Sequence, residues 1–249
     1  LVALLVALTV TGGFSGVFGE PRVITTAEMD GETFDSVDLT WKSGKVQITR
    51  SADGKMRLTQ RSRYDVKELE YGVENGRLYL RERPSWGIIF IGIGSRSSDL
   101  ELQLPEKQYK EFALTMTSGK TVMEDVSADS MRLKVTSGRL EGSRLAAGAL
   151  TADMTSGNMQ VNAKASTLQV GITSGRAVFE GSFPSVEGKA TSGTVKVETD
   201  VVPQHLDGDV TSGKMSFTIP DNGGFSLYCR KSSGSLKSDI ELMNSVNDK

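Results

Sequence analysis

The segment Val135-Thr136-Ser137-Gly138 is followed by Met154-Thr155-Ser156-Gly157 and then by Ile172-Thr173-Ser174-Gly175. Thr-Ser-Gly also begins at Thr117, Thr191 and Thr211, and Ser232-Ser233-Gly234 is a near copy. The successive spacings are 19, 19, 18, 18, 20 and 21 residues. A period fixed at this length marks a solenoid, in which each repeat is one turn of a coil.

Residues around each copy read as strands. Five positions before the Thr, or before Ser232, stand Phe112, Met131, Leu150, Leu168, Val186, Leu206 and Leu227, all apolar. One position before it stand Met116, Val135, Met154, Ile172, Ala190 and Val210, with Lys231 ending the column. Apolar residues at every second place make a strand with one buried face. The alternation resumes after the glycine at Leu140, Met159, Ala177, Val195, Met215 and Leu236. Glycine accepts positive φ without a Cβ clash, so it serves as the corner between two strands. Gly119, Gly138, Gly157, Gly175, Gly193, Gly213 and Gly234 are therefore expected to stack as a turn ladder. The Thr and Ser hydroxyls are expected to bond the corner backbone and one another. As an exposed array they could instead meet a glycan or an ice lattice.

The same frame extends upstream. Val37, Leu39 and Trp41 precede Lys42-Ser43-Gly44, and Leu69, Tyr71 and Val73 precede Glu74-Asn75-Gly76. This predicts an all-β, single-stranded β-helix or β-solenoid of about nine rungs, each of 18–21 residues where the repeat is regular, over residues 33–243. Longer early intervals carry insertions, one of them a hairpin around Asp53-Gly54. Residues 244–249 form a tail.

The first 18 residues contain no charge. At about 1.5 Å per residue a helix of this length approaches the hydrocarbon thickness of a bilayer. The segment is expected to be a hydrophobic helix, either a membrane anchor or a signal peptide, with the uncleaved anchor favoured. Residues 19–32 then read as a polar linker. The domain would project from the membrane on its outer face.

A second apolar run interrupts the frame at residues 84–98, with Trp86, Ile88, Ile89, Phe90 and Ile91 between arginines at 81, 83 and 96. It reads first as a cap on the open end of the coil. A sharper expectation is a loop that contacts lipid or a partner.

Reaction chemistry is hard to place. His205 is the single histidine, and it precedes a buried column position, so it should face outward. Cys229, the single cysteine, falls in an inward column and reads as a core residue. With one cysteine no intrachain disulfide forms. No His or Cys cluster has metal-ligand spacing, and no phosphate loop opens a helix. The carboxylates, among them Glu124, Asp125, Asp129, Glu141, Asp153, Glu180 and Glu187, recur at no single repeat position. Glycosidic cleavage needs two carboxyl groups at a defined separation. The chain is therefore expected to be non-enzymatic, with no cofactor or metal. A carbohydrate-binding or polysaccharide-cleaving β-helix is the alternative. A net charge of −2 with 24% charged residues gives no basic face for nucleic acid.

Leu100-Glu101-Leu102-Gln103-Leu104-Pro105, the strand entering Thr117-Ser118-Gly119 and the rungs after it resemble the bacterial "putative adhesin" domain family of unknown function. The resemblance covers roughly residues 33–243; the apolar insertion and Lys231 depart from it. It implies a β-solenoid, usually right-handed and often membrane-anchored in Gram-positive bacteria. Some relatives are encoded beside envelope-stress regulators, which implies adhesion, scaffolding or envelope-stress work at the cell surface with an envelope protein or glycan as partner. It supplies no catalytic residues.

Overall fold

The structure, a computed structural model, describes residues 20–83 and 97–221, together with the backbone of 6–8. The strands in chain order are β1 (Val6–Leu8), β2 (Arg22–Asp30), β3 (Ser36–Trp41), β4 (Lys45–Ser51), β5 (Lys55–Ser62), β6 (Glu70–Glu74), β7 (Arg77–Arg81), β8 (Asp99–Pro105), β9 (Gln108–Met116) and β10 (Lys120–Glu124). There follow β11 (Ser127–Ile172), which runs through several corners, then β12 (Arg176–Ser182), β13 (Ser185–Ala190), β14 (Thr194–Thr199), β15 (His205–Val210) and β16 (Lys214–Thr218).

The repeat period appears directly in the strand register. Lys120 of β10 lies beside Arg139, Asn158 beside Arg176, Arg176 beside Thr194 and Thr194 beside Lys214, all in parallel. On the other side of the corners, Met116 pairs with Val135, Ile172 with Ala190 and Ala190 with Val210. Each strand therefore lies on the strand one repeat earlier, which makes the chain an all-β, solenoid-like stack. Between the two walls lies a continuous apolar core, in which Phe112, Met131, Leu133, Val135, Leu140 and Phe179 are at most 0% exposed. Alternate residues face out, as period-two patterning requires. Near the last described rung the core adjusts its shape: Gly188 and Gly208 have no side chains, and Met215 fills the space they leave.

The first rungs do not stack in chain order. β3 lies between β7 and β9, and β4 lies between β8 and β10, all in parallel. The rung built from β7 and β8 is thus outside the rung that precedes it in sequence. Residues 82–98 join β7 to β8 where later rungs use a three-residue corner; of these, 84–96 lie outside the described residues.

Four expectations are corrected here. Glu74-Asn75-Gly76 is no solenoid corner: Asn75 (φ 50°) and Gly76 (φ 76°) form a tight turn, and β6 pairs antiparallel with β7. Two consecutive positive-φ residues match the twist of a hairpin and reverse the chain, whereas a solenoid corner must not. The turn at Asp53-Gly54 is present, but β4 and β5 do not pair. β8 lies between them, parallel to β4 and antiparallel to β5, because Leu100, Leu102 and Leu104 continue the buried column of Val46 and Ile48. The stretch 19–32, read as a linker, contains β2, whose register runs along β5 from Arg22–Ser62 to Asp30–Lys55. In place of an N-terminal helix, Val6–Leu8 is a strand antiparallel to Thr26–Glu28. The open edge of β2 offers its backbone groups, and an apolar Val-Ala-Leu strand can take them up. No described helix is long and apolar enough to cross a membrane.

Candidate functional site

The repeat motif builds one continuous feature, the corner column. A Cβ placed on Gly138 would stand 2.6 Å from Gly119 O, and one on Gly157 would overlap Gly138 O and come within 2.8 Å of its nitrogen. Gly175 is set the same way against Gly157, Gly213 against Gly193, and Gly119 against Gly44. The predicted ladder of Gly119, Gly138, Gly157, Gly175, Gly193 and Gly213 therefore stacks in order, with Gly44 beneath it. Gly234 lies outside the described residues. Glycine is required at Gly157 (φ 116°) and Gly175 (φ 95°) both by conformation and by the backbone packed against them.

Backbone bonds between rungs hold the column. Ser137 N donates to Thr117 O at 2.7 Å, Ser174 N to Thr155 O at 2.9 Å and Ser212 N to Thr191 O at 2.7 Å. The side chains are not needed for this. Ser118 Oγ donates to Lys42 O at 3.0 Å. Among the described residues, the hydroxyls of Thr136, Thr155, Thr173, Thr191 and Thr211 have no protein partner, and all five residues are exposed. The expectation that these hydroxyls satisfy the corner holds for Ser118 alone among the described copies. The rest form a free ladder with one hydroxyl-bearing pair per rung, about 4.8 Å apart.

The start of the column shows how its geometry is completed. Each corner N–H donates to the preceding rung, so the first corner needs substitute acceptors. Glu82 Oε2 accepts from Lys42 N at 2.8 Å and Ser43 N at 3.3 Å, and Asp99 Oδ1 accepts from Lys45 N at 2.7 Å. Ser98 Oγ donates to Glu82 Oε1 at 3.1 Å, and Trp41 Nε1 donates to Ser98 O at 3.0 Å. Two carboxylates thus stand in for carbonyl oxygens. Partial burial pushes the Glu82 carboxyl above its ordinary value of 4.5, against the pull of these donors. An acid that binds its proton more tightly when folded stabilises the fold most below its unfolded pKa and loses that contribution as pH rises through the folded value. The native chain's melting temperature should therefore fall as pH climbs from about 4.5, and Glu82→Gln should flatten that fall; parallel curves would remove Glu82 as the source.

A shallow groove of ≈ 300 Å³ lies on the outer wall beside the column. Lys134, Asp153 and Lys189 stand along it, with Gly171 between the last two and the hydroxyls of Thr155, Thr173 and Thr191 at its edge. A second groove of ≈ 310 Å³ lies near Arg50, Asp125 and Arg144. There Arg144 holds Asp125 at 2.6 Å and Glu124 at 2.8 Å. The hydrogen bond from Arg144 keeps the Asp125 carboxyl below its usual range.

The other sequence candidates are dispersed. Glu141 pairs with Lys120 at 2.8 Å, Glu187 with Lys189 at 3.2 Å, and Asp129 accepts from Gln108 at 2.8 Å. His205 is exposed at the start of β15. Cys229 and the five apolar candidates Trp86, Ile88, Ile89, Phe90 and Ile91 lie outside the described residues. Among the described residues no group of three His, Cys, Asp or Glu side chains could hold a metal. Sequence reading missed Glu82 and Asp99, whose corner-amide partners are 39 to 54 residues away. It also missed the groove, although a glycine at an outward strand position, Val170-Gly171-Ile172, was a visible sign of it.

Among curated proteins no relative matches the chain in sequence. Among solved structures, it is similar to a "putative adhesin" from Bacteroides fragilis, with 12% identity over 79% of this chain and 97% of that one, at a TM-score of 0.48. It is similar to a "putative cell adhesion protein" from Clostridium sporogenes, with 11% identity over 81% and 100% of the two chains and a TM-score of 0.39. A "putative lipid binding protein" from Parabacteroides distasonis gives 16% identity over 81% and 98%, at 0.36. A family model described as Toastrack DUF4097 matches residues 34–249, and the chain belongs to this family.

Proposed function

We propose that the protein is a non-enzymatic adhesive scaffold displayed outside the cytoplasm, and that its working surface is the corner column. The observation that carries this reading is the row of exposed hydroxyls without protein partners, held in register by stacked glycine backbone. A ligand that meets such a row orders little backbone, because the inter-rung hydrogen bonds already hold the carrier strands in register. Within the same proposal the coil is right-handed and single-stranded. Attachment to the envelope through the N-terminal region belongs to the same proposal, and cell fractionation with protease shaving tests it. The non-enzymatic reading draws support from the acids at the second groove: Arg144 keeps Asp125 ionised, which suits it poorly to donate a proton to a leaving group.

Beads coated with the full chain should be retained on isolated bacterial cell walls, without soluble fragments accumulating. Replacing Thr155, Thr173 and Thr191 together by Val keeps shape and removes three hydroxyls. Retention should fall roughly tenfold, the scale of one to two net hydrogen bonds. Retention no better than that of albumin-coated beads, or equal retention of the triple variant, would overturn the reading.

A further inference from the structure

The groove beside the corner column carries a more specific inference, which rests on the display reading above. One outward column of the wall runs through Lys134, Asp153, Gly171 and Lys189 in successive rungs. At Gly171 there is no side chain, and the Asp153 carboxylate leans into the vacancy: its Oδ1 is 2.6 Å from where a Cβ of Gly171 would stand. Among the described residues, the side chains of Asp153 and Lys134 form no hydrogen bond or ion pair, whereas Glu111, Glu187 and Asp38 on the same wall are each paired with a cation. An acceptor and a cation are thus left unengaged in one depression, next to exposed threonine hydroxyls.

We propose that this groove binds an acidic polysaccharide lying along the coil axis. An ionised carboxylate has acceptor sites on both oxygens, so Asp153 can take two neighbouring hydroxyls of one sugar ring. The missing side chain at Gly171 lets the Asp153 carboxylate lie along the wall, where it can present its oxygens to that ring. Lys134, one rung away, offers three donors and a positive charge to a carboxylate on the adjoining sugar. Rungs repeat about every 4.8 Å, close to the length of one residue in an extended glycan, so successive sugars meet successive rungs. The wall offers no aromatic side chain in the groove for stacking a neutral ring; charge and hydroxyl recognition replace it.

Titration of the full chain with polygalacturonate, and separately with neutral dextran of similar length, tests this. The native chain should bind polygalacturonate at least tenfold more tightly than dextran. Gly171→Val, which fills the notch with a strand-compatible side chain, and Asp153→Asn should each weaken polygalacturonate binding roughly tenfold, the scale of one good charged hydrogen bond. Lys134→Gln should weaken it and reduce its salt dependence. Asp153 is exposed, so its variant remains informative should Gly171→Val fail to fold. No binding to polygalacturonate, equal binding of dextran, or native affinity in the Asp153 variant would overturn the proposal. If cell-wall retention stays sensitive to the triple threonine change while Gly171→Val or Asp153→Asn leaves polygalacturonate binding untouched, the display reading stands and this inference alone fails.

Discussion

Replacing Gly157 by Ala should lower the melting temperature by roughly 10 °C, equivalent to about 3 kcal/mol in a chain of this size. The cost has two sources. A φ of 116° is outside the range that residues with a Cβ readily adopt. The new methyl would also overlap the carbonyl oxygen of Gly138 and press on its nitrogen at 2.8 Å. Both obstacles are backbone, so no side chain can rotate away; the rung spacing itself must open. Gly54→Ala separates the two terms. Gly54 has φ 75°, yet nothing lies within 4 Å of a Cβ built there. Its substitution should cost about 1 kcal/mol, from conformation alone. Thermal unfolding of both variants checks the pair. Equal losses would mean that stacked corners contribute no steric constraint.

Gln60→Leu should destabilise the chain by about 3 kcal/mol, although leucine matches glutamine in bulk and suits a buried strand. Gln60 is 0% exposed and joins four partners. Its Oε1 accepts from Leu69 N at 2.8 Å and from Thr25 Oγ1 at 3.2 Å, while Nε2 donates to Lys67 O at 3.2 Å and Ser98 Oγ at 3.3 Å. A leucine leaves these groups in the interior without partners, at about 1–3 kcal/mol for each that finds no water. Urea titration measures the loss. Adding Thr25→Val should recover part of it, since one orphaned hydroxyl disappears. A Gln60→Leu chain as stable as the native one would show that the site admits solvent.

These two sites differ in how far they can be read in the sequence. The stacked corner was legible because its demand repeats: every rung needs glycine against the glycine beneath, so Gly119 through Gly213 recur at nearly constant spacing. The buried columns were legible for the same reason. Gln60 satisfies a singular need, tying β2 to β5 and to the segment before β6, and nothing in Thr59-Gln60-Arg61 distinguishes it from a surface residue. Glu82 and Asp99 are equally local solutions to a long-range requirement. The order of the early rungs was hidden because Glu74-Asn75-Gly76 and Lys42-Ser43-Gly44 both end in glycine. What separates them is the φ of the preceding residue, positive at Asn75. The groove lay within reach, since Gly171 removes a side chain from an outward position of a regular strand. Its flanking Lys134 and Asp153 gain meaning only when the columns are laid side by side.

The carboxylate cap at the first corner gives the coil a direction. Corner amides point toward Glu82 and Asp99, and corner carbonyls point the other way, so the two ends of the described column differ: donors are capped at one, acceptors face outward at the other. A duplicated eighteen- or nineteen-residue unit inserted between Gly119 and Gly213 would find donors on one neighbour and acceptors on the other, with the cap undisturbed. Length is then a variable that gene duplication can tune, lengthening the molecule by one strand spacing per copy while its closed end stays the same.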